Sequence, residues 1–445
     1  MRGVSDRARP QRLKLPARPV TFAALRHRIF CAREQRAAAK RKSMTPQALL
    51  AESIHPAAAK ALEALGVTPV ERLKVALPED ELIEKLKGVK LLGIRSRTKV
   101  TKATIEGAPG LYAIGSFGIG TNQIDLDAAS AKGIPVFNAP FANSRSVAEL
   151  TISAAVSLLR RMPEKNVEMR AGGWGKSAAG AYEARAKKLG IVGYGNIGSQ
   201  VSVLASAMGM HVYYYDIEPK LAHGNARAVA SLDELLELSD IVTLHTPSTP
   251  ATRGMIDAGA LAKMKKGANI INYARGDLID IDALSEALGS GQVGGAAIDV
   301  FPVEPASKDE AFDSPLLAHK NVLFSPHIGG STQEAQEAIG AEVADKLARF
   351  LTEGATAHSV NFPQILPSSR KLGVTRILHA HQNVTGVLRG INDAVSDAGL
   401  NTAAQSLATR DGIGYVIADV EGAATDSLRA DLEKVDGTIW TRIIE

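Results

Sequence analysis

The chain has 445 residues, enough for two to four domains of about 100–200 residues each. Hydrophobic residues make up 45% and charged residues 22%, which excludes a disordered chain, and no apolar run reaches the roughly 18–20 residues that cross a bilayer. The single cysteine, Cys31, excludes disulfide scaffolds, cysteine-ligated zinc and iron–sulfur clusters. A single cysteine is typical of a protein in a reducing compartment, so we expect a cytoplasmic protein. We also expect no membrane partner and no metal site.

Positive charge is concentrated near the start of the chain. Residues 1–43 hold thirteen Lys and Arg and two acids, a net charge of +11, and the remainder has a net charge of −6. A basic leader of this kind is found in nucleic-acid-binding tails and in organellar transit peptides. A secretory signal peptide is not expected, because the segment lacks a continuous apolar stretch of roughly 7–15 residues. We favour a segment that is disordered, or that is not translated because synthesis begins at Met44, and we expect no nucleic-acid partner.

Helices and strands alternate from about residue 46 onward. A helix is predicted at 56–65, ended by Gly66, and a second at 80–86. Short apolar strands are predicted at 91–94, 111–115 and 134–137. This alternation indicates an α/β domain.

The following segment has the most regular pattern. A helix over 143–160 precedes six short apolar strands separated by helical segments, and a helix over 332–353 follows them. The strands are Leu189–Gly193, His211–Asp216, Ile241–His245, Asn269–Asn272, Ala296–Val300 and Val322–Ser325. The pattern predicts a doubly wound sheet whose ligand crevice lies at the carboxyl ends of its strands.

A Pro/Ser-rich linker, residues 359–369, leads to a second and smaller α/β segment. The predicted order there is strand 376–381, helix 385–398, strands 403–409 and 415–420, helix 424–435 and strand 437–444. This βαββαβ order predicts a separate domain of ferredoxin-like type.

Three glycines follow the first strand of the doubly wound region. Gly193, Gly195 and Gly198 stand between that strand and a helix, and Asp216 ends the next strand eighteen residues later. In a dinucleotide site such glycines form the tight turn, admit the pyrophosphate and allow close helix packing, with the phosphates at the helix N-terminus. Asp216 is suited to bind ribose hydroxyls and to repel a 2′-phosphate, which favours NAD over NADP. The alternative is a glycine-rich turn in another α/β protein.

Charged residues stand at the ends of the later strands. They are Arg275, Asp299, Glu304 and His327. A histidine has the pKa needed to accept the proton of an alcohol, a carboxylate fixes its tautomer, and a guanidinium can hold a substrate carboxylate. The alternative is a structural Arg275–Glu304 ion pair beside a histidine that caps a loop.

Arg95, Ser96, Arg97 and Thr98 follow the strand predicted at 91–94. Two guanidiniums that flank a hydroxyl are suited to a phosphate, which offers several acceptor oxygens. The alternative is a solvated basic turn, because two lysines follow closely.

Five segments resemble the D-isomer-specific 2-hydroxyacid dehydrogenases. They are residues 143–149, 190–198, 271–276, 297–305 and 325–331. The resemblance covers roughly residues 48–445 and is strongest to short bacterial members that act on phosphoglycerate. It implies a doubly wound Rossmann NAD domain, residues 143–329, inserted into a flavodoxin-like substrate-binding domain, residues 48–142 and 330–362. The helices near 143–160 and 332–353 would then cross the hinge between the two.

The resemblance also implies roles for individual residues. The family's catalytic residues fall on Arg275, Glu304 and His327, with NAD as the cofactor. The implied cofactor-binding residues are Gly193, Gly195, Asn196, Ile197, Gly198, Asp216, Tyr273, Ala274, Arg275, Asp299, His327, Gly329 and Gly330. The implied substrate-binding residues are Arg95, Ser96, Arg97, Asn143 and Lys176. Lys176 would reach across from a neighbouring subunit, and the adjacent Trp174 is assigned either to a subunit contact or to packing.

The implied reaction is the oxidation of 3-phospho-D-glycerate to 3-phosphohydroxypyruvate, the first step of L-serine biosynthesis, in a homo-oligomer that is expected to be a tetramer. One alternative is a dehydrogenase for another 2-hydroxy acid, such as glycerate or 2-hydroxyglutarate. The other is a catalytically silent, dinucleotide-gated corepressor. The complete set of Arg, Glu and His favours an enzyme.

Residues 372–445 resemble an ACT domain, a regulatory module that binds amino acids between two copies of itself. The resemblance implies L-serine as a feedback inhibitor, bound by His381, Asn383 and Asn401. The family commonly has Arg-Pro where this chain has Val384-Thr385, which leaves the affinity and the strand pairing open. The alternative is a purely architectural dimerisation domain.

Overall fold

The computed structural model describes residues 47–305, 310–371 and 373–444. The basic segment 1–43 lies outside these ranges, as do residues 372 and 445 at the two ends of the expected C-terminal domain. Within the described ranges, no helix is long and apolar enough to cross a membrane. The same ranges contain no group of three or more His, Cys, Asp and Glu side chains that could hold a metal ion.

The secondary structure of the described residues is numbered here in chain order. The strands are β1 (Ala48–Leu50), β2 (Val70–Arg72), β3 (Leu91–Ile94), β4 (Ala113–Ser116), β5 (Val136–Phe137), β6 (Lys188–Val192), β7 (His211–Tyr215), β8 (Arg227–Ala228), β9 (Ile241–Leu244), β10 (Ala268–Asn272), β11 (Val293–Ile298), β12 (Val322–Phe324), β13 (Val374–Gln382), β14 (Asn401–Arg410), β15 (Ile413–Glu421) and β16 (Thr438–Ile444). The α-helices are α1 (Pro56–Ala64), α2 (Glu79–Leu86), α3 (Lys102–Glu106), α4 (Leu126–Ala131), α5 (Ser144–Leu159), α6 (Met162–Arg170), α7 (Asn196–Ala207), α8 (Leu232–Leu238), α9 (Ala258–Lys263), α10 (Ile281–Gly289), α11 (Gln333–Glu353), α12 (Val387–Asp397) and α13 (Asp426–Glu433).

The first sheet contains β1 to β5 in the order β2-β1-β3-β4-β5, and all five strands are parallel. Its central strands β3 and β4 are buried along their whole length, as expected for a parallel sheet covered on both faces. Two of its helices begin at side-chain caps, because Thr101 and Asp125 accept hydrogen bonds from Thr104 N and Ala128 N. The strand order is the flavodoxin-like one.

The chain returns to this first sheet after residue 330. A methyl group at Gly115 of β4 would lie 2.7 Å from Val343 and 2.9 Å from Leu347, so α11 approaches the sheet closely where glycine has no side chain. Farther on, Val136 N of β5 donates to Asn361 Oδ1 at 2.8 Å. The start of the predicted linker is therefore fixed to the sheet edge. These contacts support the assignment of residues 330–362 to the substrate-binding domain.

The second sheet has seven parallel strands in the order β12-β11-β10-β9-β6-β7-β8. The prediction of six strands is wrong by one, because β8 also pairs with β7. Strand β8 consists of Arg227 and Ala228 alone, and both residues are exposed. An edge strand this short and exposed has no apolar run, so the pattern of buried strands does not reveal it.

The chain order of the second sheet reverses at β6, which has β7 on one side and β9 on the other. At such a reversal, the loops that follow neighbouring strands diverge and leave a crevice beyond their carboxyl ends. The loops after β6, β10, β11 and β12 carry the glycines and charged residues singled out in the sequence.

The third sheet is antiparallel, in the order β14-β15-β13-β16. Helix α12 follows β13 in the chain, and α13 follows β15. Apolar residues of both helices pack on one face of the sheet around Ile377, Val416 and Leu432. This is the ferredoxin-like βαββαβ arrangement, and the residues from 373 to 444 are called the C-terminal module below. Together the three sheets confirm the predicted fold class, whereas the domain limits stay predictions.

The C-terminal module is fastened to the first sheet by side chains of β16. Trp440 Nε1 donates to Gly133 O at 2.9 Å, and Arg442 donates to Leu351 O at 2.7 Å. The guanidinium of Arg442 also lies over the ring of Tyr112, 4.5 Å from its centroid. The last strand of the module therefore contacts helix α11 and the chain between α4 and β5 directly.

Candidate active site

The glycine-rich loop after β6 has the geometry of a phosphate cradle. Gly193 has φ of 90°, and a methyl group there would lie 2.8 Å from His245 O. A methyl group at Gly198 would lie 2.2 Å from Gly193 O, so helix α7 packs closely against the loop. A methyl group at Gly195, by contrast, would have no other atom within 4 Å. The open space lies at the N-terminus of α7, whose first N–H groups have no intrahelical partners, and a pyrophosphate fits there.

Asp216 follows β7 immediately and is tied to the glycine-rich loop. Its Oδ2 accepts a hydrogen bond from Tyr194 N at 2.7 Å, and its Oδ1 accepts one from Glu218 N at 3.0 Å. The carboxylate thus stands beside the phosphate cradle, where the ribose of a dinucleotide would lie. Its ribose contact stays a prediction, but its position fits NAD.

Arg275 lies in the loop after β10, which is shaped by Asn272. Asn272 Oδ1 accepts from Ala274 N at 3.1 Å, and its Nδ2 donates to Arg275 O at 2.8 Å. A methyl group at Gly276 would lie 2.1 Å from Phe301 C, so this loop is pressed against the loop after β11. Only glycine fits at position 276, and the close contact brings Arg275 beside the residues that follow β11.

Asp299, at the end of β11, holds the loop that carries His327. Its carboxylate is buried and accepts from Ser325 Oγ at 2.5 Å, Ile328 N at 2.9 Å and Gly329 N at 2.8 Å. Its carbonyl oxygen accepts from His327 N at 2.7 Å. Asp299 therefore fixes the backbone on both sides of the histidine, and a direct contact with the cofactor stays a prediction.

His327 and Glu304 form a hydrogen-bonded pair across two loops. His327 Nδ1 lies 3.0 Å from Glu304 Oε1 and 2.9 Å from Glu304 Oε2. The carboxylate also accepts from Phe301 N at 3.2 Å. Because a carboxylate only accepts hydrogen bonds, Nδ1 carries the proton, and the second ring nitrogen, Nε2, is left for a ligand.

The electrostatics of the pair favour a charged imidazole. The hydrogen bond to Glu304 raises the pKa of His327 above its usual value, and this effect exceeds the opposing effect of burial. Burial alone would raise the pKa of Glu304, but its hydrogen bond to His327 and the nearby charges lower it. Arg275 is near enough to contribute, since its charge lowers the pKa of both partners. A carboxylate, an imidazole that can be protonated and a guanidinium therefore lie together at one end of the second sheet.

Arg95 and Arg97 lie after β3, at the carboxyl edge of the first sheet. Ser96 and Arg97 are exposed and Arg95 is half-buried. Within the described residues neither guanidinium forms an ion pair, so both are available to an anion. Three backbone amides of this loop, those of Arg95, Arg97 and Thr98, donate to the carboxylate of Glu52, a residue that no local sequence motif singles out.

Asn143 directly precedes α5 and lies next to the loop of His327. A methyl group at Gly330 would lie 2.4 Å from Asn143 Nδ2, and Ser146 Oγ donates to Gly329 O at 2.7 Å. Asn143 is buried, and its Oδ1 has no hydrogen-bond partner within the described part of the chain. A buried amide oxygen without a partner is suited to a ligand that donates a hydrogen bond.

Comparison with known proteins agrees with this site. Residues 152–329 match the family model described as D-isomer specific 2-hydroxyacid dehydrogenase, NAD binding domain. The chain is 51% identical over 397 residues to D-3-phosphoglycerate dehydrogenase of Haemophilus influenzae, covering 89% of this chain and 96% of that one. It is 49% identical over 400 residues to the protein of the same name from Escherichia coli K12, covering 89% and 97%. The chain belongs to the D-isomer-specific 2-hydroxyacid dehydrogenase family.

Solved structures of 2-hydroxyacid dehydrogenases have the same fold over part of the chain. D-2-hydroxyisocaproate dehydrogenase superposes with a TM-score of 0.64 at 27% identity, covering 71% of this chain and 99% of its own. D-lactate dehydrogenase from Aquifex aeolicus, a complex with NAD and lactic acid, superposes with a TM-score of 0.60 at 30% identity, covering 68% and 95%. Each of these two structures thus matches about 70% of this chain over nearly the full length of its own chain.

Within this 2-hydroxyacid dehydrogenase, two sequence candidates lie in an exposed loop after α6. Trp174 is 80% exposed, so it does not pack in the core of its own chain. The side chain of Lys176 is exposed and makes no hydrogen bond or ion pair within the described residues. Both observations agree with contacts to a second subunit, which stay a prediction.

The three residues predicted to bind L-serine do not meet within one chain of this dehydrogenase. His381 pairs with Gly414 at one end of the third sheet, and Asn383 follows directly. Asn401 pairs with Glu421 at the opposite end, about 23 Å away at roughly 3.3 Å per residue along β13. A site that uses all three side chains therefore needs two copies of the module.

Proposed function

We propose that this chain is a D-3-phosphoglycerate dehydrogenase, which oxidises 3-phospho-D-glycerate to 3-phosphohydroxypyruvate with NAD in the first step of serine biosynthesis. The observation that carries this proposal is the His327–Glu304 pair beside Arg275, in a chain about half identical to D-3-phosphoglycerate dehydrogenases over nearly their full length. NAD binds in the second sheet's crevice, at the open glycine-rich loop before α7.

The three charged residues divide the work of the reaction. NAD, when bound, accepts a hydride from the carbon that carries the substrate hydroxyl. His327 Nε2 accepts the hydroxyl proton, and the Glu304 carboxylate orients the ring through Nδ1 and stabilises the imidazolium that forms. Arg275 binds the substrate carboxylate with its planar guanidinium, and its side chain donates to Ala274 O at 2.6 Å, which limits its motion.

The substrate phosphate is assigned to Arg95 and Arg97. These two guanidiniums lie in one loop of the substrate-binding domain and have no ion-pair partner within the described residues. Guanidiniums bind phosphate oxygens through two parallel N–H groups, an interaction that D-glycerate, with a hydroxyl in place of the phosphate, cannot form. The choice of a phosphorylated substrate therefore follows from this loop, with Asn143 and the neighbouring subunit's Lys176 as further contacts.

A steady-state assay tests the assignment of the substrate. We expect NAD reduction with 3-phospho-D-glycerate at a kcat/KM at least about 100-fold higher than with D-glycerate, which has no anion to bind Arg95 and Arg97. We expect kcat/KM for D-2-hydroxyglutarate, whose second carboxylate can bind a guanidinium, to lie between the two. A higher kcat/KM with either of the other two acids would reassign the substrate. Absence of turnover with all three, in protein that binds NAD, would favour a dinucleotide-gated corepressor.

L-serine is proposed as a feedback inhibitor that binds between two C-terminal modules. The opposite positions of Asn383 and Asn401 in one sheet support a site shared by two copies. Strand β14 supports it as well, since it is a ten-residue edge strand that is exposed along nearly its whole length and can pair with a second copy. The assembly is proposed to be a tetramer, and the cytoplasmic location stays a prediction from the sequence.

A further inference from the structure

Glu52 lies where two parallel strands of the first sheet end side by side. Leu50 of β1 pairs with Gly93 of β3, so Glu52, two residues after Leu50, lies beside Arg95, two residues after Gly93. The chain turns away from β1 with positive φ angles at Glu52 and Ser53, 59° and 52°, a conformation that is uncommon outside glycine. Tertiary contacts hold this turn in place.

The carboxylate of Glu52 binds three backbone amides of one loop. Its Oε1 accepts from Arg95 N at 3.0 Å and from Thr98 N at 2.9 Å, and its Oε2 accepts from Arg97 N at 2.9 Å. Glu52 is 8% exposed, and no Lys, Arg or His forms an ion pair with it within the described ranges. Its charge is therefore balanced by the N–H groups of the loop, and hydrogen bonds to an ionised, buried carboxylate are strong ones.

These hydrogen bonds decide how the loop can recognise an anion. Many phosphate-binding loops use their backbone N–H groups, but here the amides of Arg95, Arg97 and Thr98 are already occupied by Glu52. Of the four amides from residue 95 to residue 98, Ser96 N alone has no hydrogen-bond partner among the described residues, so recognition depends chiefly on the side chains of Arg95 and Arg97. Two long, flexible side chains bind an anion tightly only when the backbone that carries them is fixed.

A second contact fixes the other side of the same loop. Gln123 Nε2 donates to Arg95 O at 2.6 Å and to Ser116 Oγ at 3.1 Å, so the loop is joined to β4 as well. Three of its N–H groups donate to Glu52, and the carbonyl oxygen of Arg95 accepts from Gln123. Two different elements thus define the backbone conformation that spaces the two arginines.

We propose that Glu52 is a positioning residue for substrate binding: its carboxylate folds the 95–98 loop so that Arg95 and Arg97 present their guanidiniums together to the phosphate of the substrate. This inference rests on the proposed function, because it takes the phosphorylated substrate as given. It assigns to Glu52 no contact with substrate and no part in the proton transfer.

The variant Glu52→Gln replaces one of the two acceptor oxygens by an NH₂ group. This group can only donate, and it would face a backbone N–H that is also a donor. We expect the KM for 3-phospho-D-glycerate to rise at least about tenfold, the scale of a lost charged hydrogen bond, while kcat stays within about threefold. In protein that carries both Arg95→Ala and Arg97→Ala, the same substitution should add little, because Glu52 acts through the two arginines. Glu84→Gln is the matched control, since that carboxylate is exposed and pairs only with Lys87, and it should change neither constant.

Hydrogen exchange of the full-length protein tests the positioning independently of activity. The amides of Arg95, Arg97 and Thr98 should exchange at least about tenfold faster in Glu52→Gln, with unchanged exchange in β6. If Glu52→Gln does not fold, Glu52→Asp, which keeps the charge, takes its place. Faster exchange with an unchanged KM would overturn the proposal, and so would a decrease in kcat as large as the increase in KM. If the unmodified protein does not oxidise 3-phospho-D-glycerate, the proposed function fails, and calorimetric binding of inorganic phosphate to both proteins still decides the role of Glu52: equal affinities would overturn it.

Discussion

Glu304 binds the Nδ1 edge of His327 with both carboxylate oxygens, at 3.0 and 2.9 Å, and leaves Nε2 of the ring without a protein partner in the described structure. The contact joins two loops that follow adjacent strands, β11 and β12. A ring held from one side in a fixed tautomer is prepared to exchange a proton on its other side. The pair is therefore the chemical centre of the proposed reaction.

Replacing His327 by alanine removes the proton acceptor. We expect kcat for the oxidation of 3-phospho-D-glycerate to fall about 10²–10⁴-fold, the usual contribution of acid–base catalysis, while NAD binding changes little. Stopped-flow or steady-state assays measure the first quantity and fluorescence titration the second. His211→Ala is the control, because that histidine is exposed at the start of β7. An unchanged kcat in His327→Ala would remove the residue from the mechanism.

Replacing Glu304 by glutamine changes the pH dependence. The hydrogen bond from His327 to Glu304 raises the pKa of the imidazole, so the loss of the carboxylate lowers that pKa. Oxidation of the hydroxy acid needs the neutral ring, so the acid limb of its kcat/KM profile should move to lower pH in the variant. Reduction of the keto acid needs the imidazolium, so its alkaline limb should also move to lower pH. Profiles of kcat/KM in both directions measure the shift, and limbs that move in opposite directions would contradict the assignment.

Asp216 is predicted to select NAD over NADP. Because its Oδ2 also accepts from Tyr194 N, Asp216→Ala would disturb the glycine-rich loop as well as remove the charge. Asp216→Asn keeps an acceptor oxygen for that amide, so it isolates the effect of the charge. We expect the preference in kcat/KM for NAD over NADP to narrow by about tenfold or more, chiefly because repulsion of the 2′-phosphate is lost. Equal use of both cofactors by the unmodified protein would refute the assignment.

Arg95 and Arg97 are predicted to bind the substrate phosphate. Arg95→Ala or Arg97→Ala should raise the KM for 3-phospho-D-glycerate by about 10–100-fold and have little effect on slow turnover of D-glycerate, which lacks the phosphate. Arg145→Ala is the matched control, because that arginine is exposed and pairs with Glu149 on the surface of α5. If both substrates are affected alike, the two arginines have a structural role.

The sequence predicts those parts of the fold whose signal is local. Strands such as β9 and β10 are buried along their full length, so an apolar run between helices is enough to find them. Strands β2 and β8 consist of three and two residues that are exposed or half-buried, and their pairing depends on neighbours that are distant in sequence. The sequence therefore predicts neither of them, and it does not predict β1 either, because three buried residues form too short an apolar run.

The site was predictable in its residue types and not in its geometry. Glu304 and His327 stand in two separate motifs, 23 residues apart. Their contact requires a φ of 54° at His327 and the hydrogen bonds of Asp299, which no sequence pattern reveals. Glu52 illustrates the limit more clearly. It is 43 residues from Arg95, and only the parallel pairing of β1 with β3 brings the two together.

Inhibition by L-serine is the last prediction, and it depends on two copies of the C-terminal module. Asn383→Ala and Asn401→Ala should each raise the L-serine concentration for half inhibition by at least about tenfold, because each removes a hydrogen-bonding amide from the site. Activity without serine should stay near that of the unmodified protein. Asn392→Ala is the control, since that amide is exposed on α12 and contacts Gln405 of the same module. Glycine and D-serine serve as ligand controls.

Because Asn383 and Asn401 lie at opposite ends of one sheet, the two variants should complement each other. A site formed by Asn383 of one subunit and Asn401 of its partner has two equivalents in a symmetric dimer of modules. In a mixed dimer of Asn383→Ala and Asn401→Ala subunits, one site loses both amides and the other keeps both. Co-expressed and purified mixed oligomers should therefore regain binding of L-serine at one site per dimer, measured by calorimetry, together with part of the inhibition. Failure to regain binding would show that Asn383 and Asn401 do not form one shared site. No response of the unmodified, active enzyme to millimolar L-serine would leave the module with a role in assembly alone.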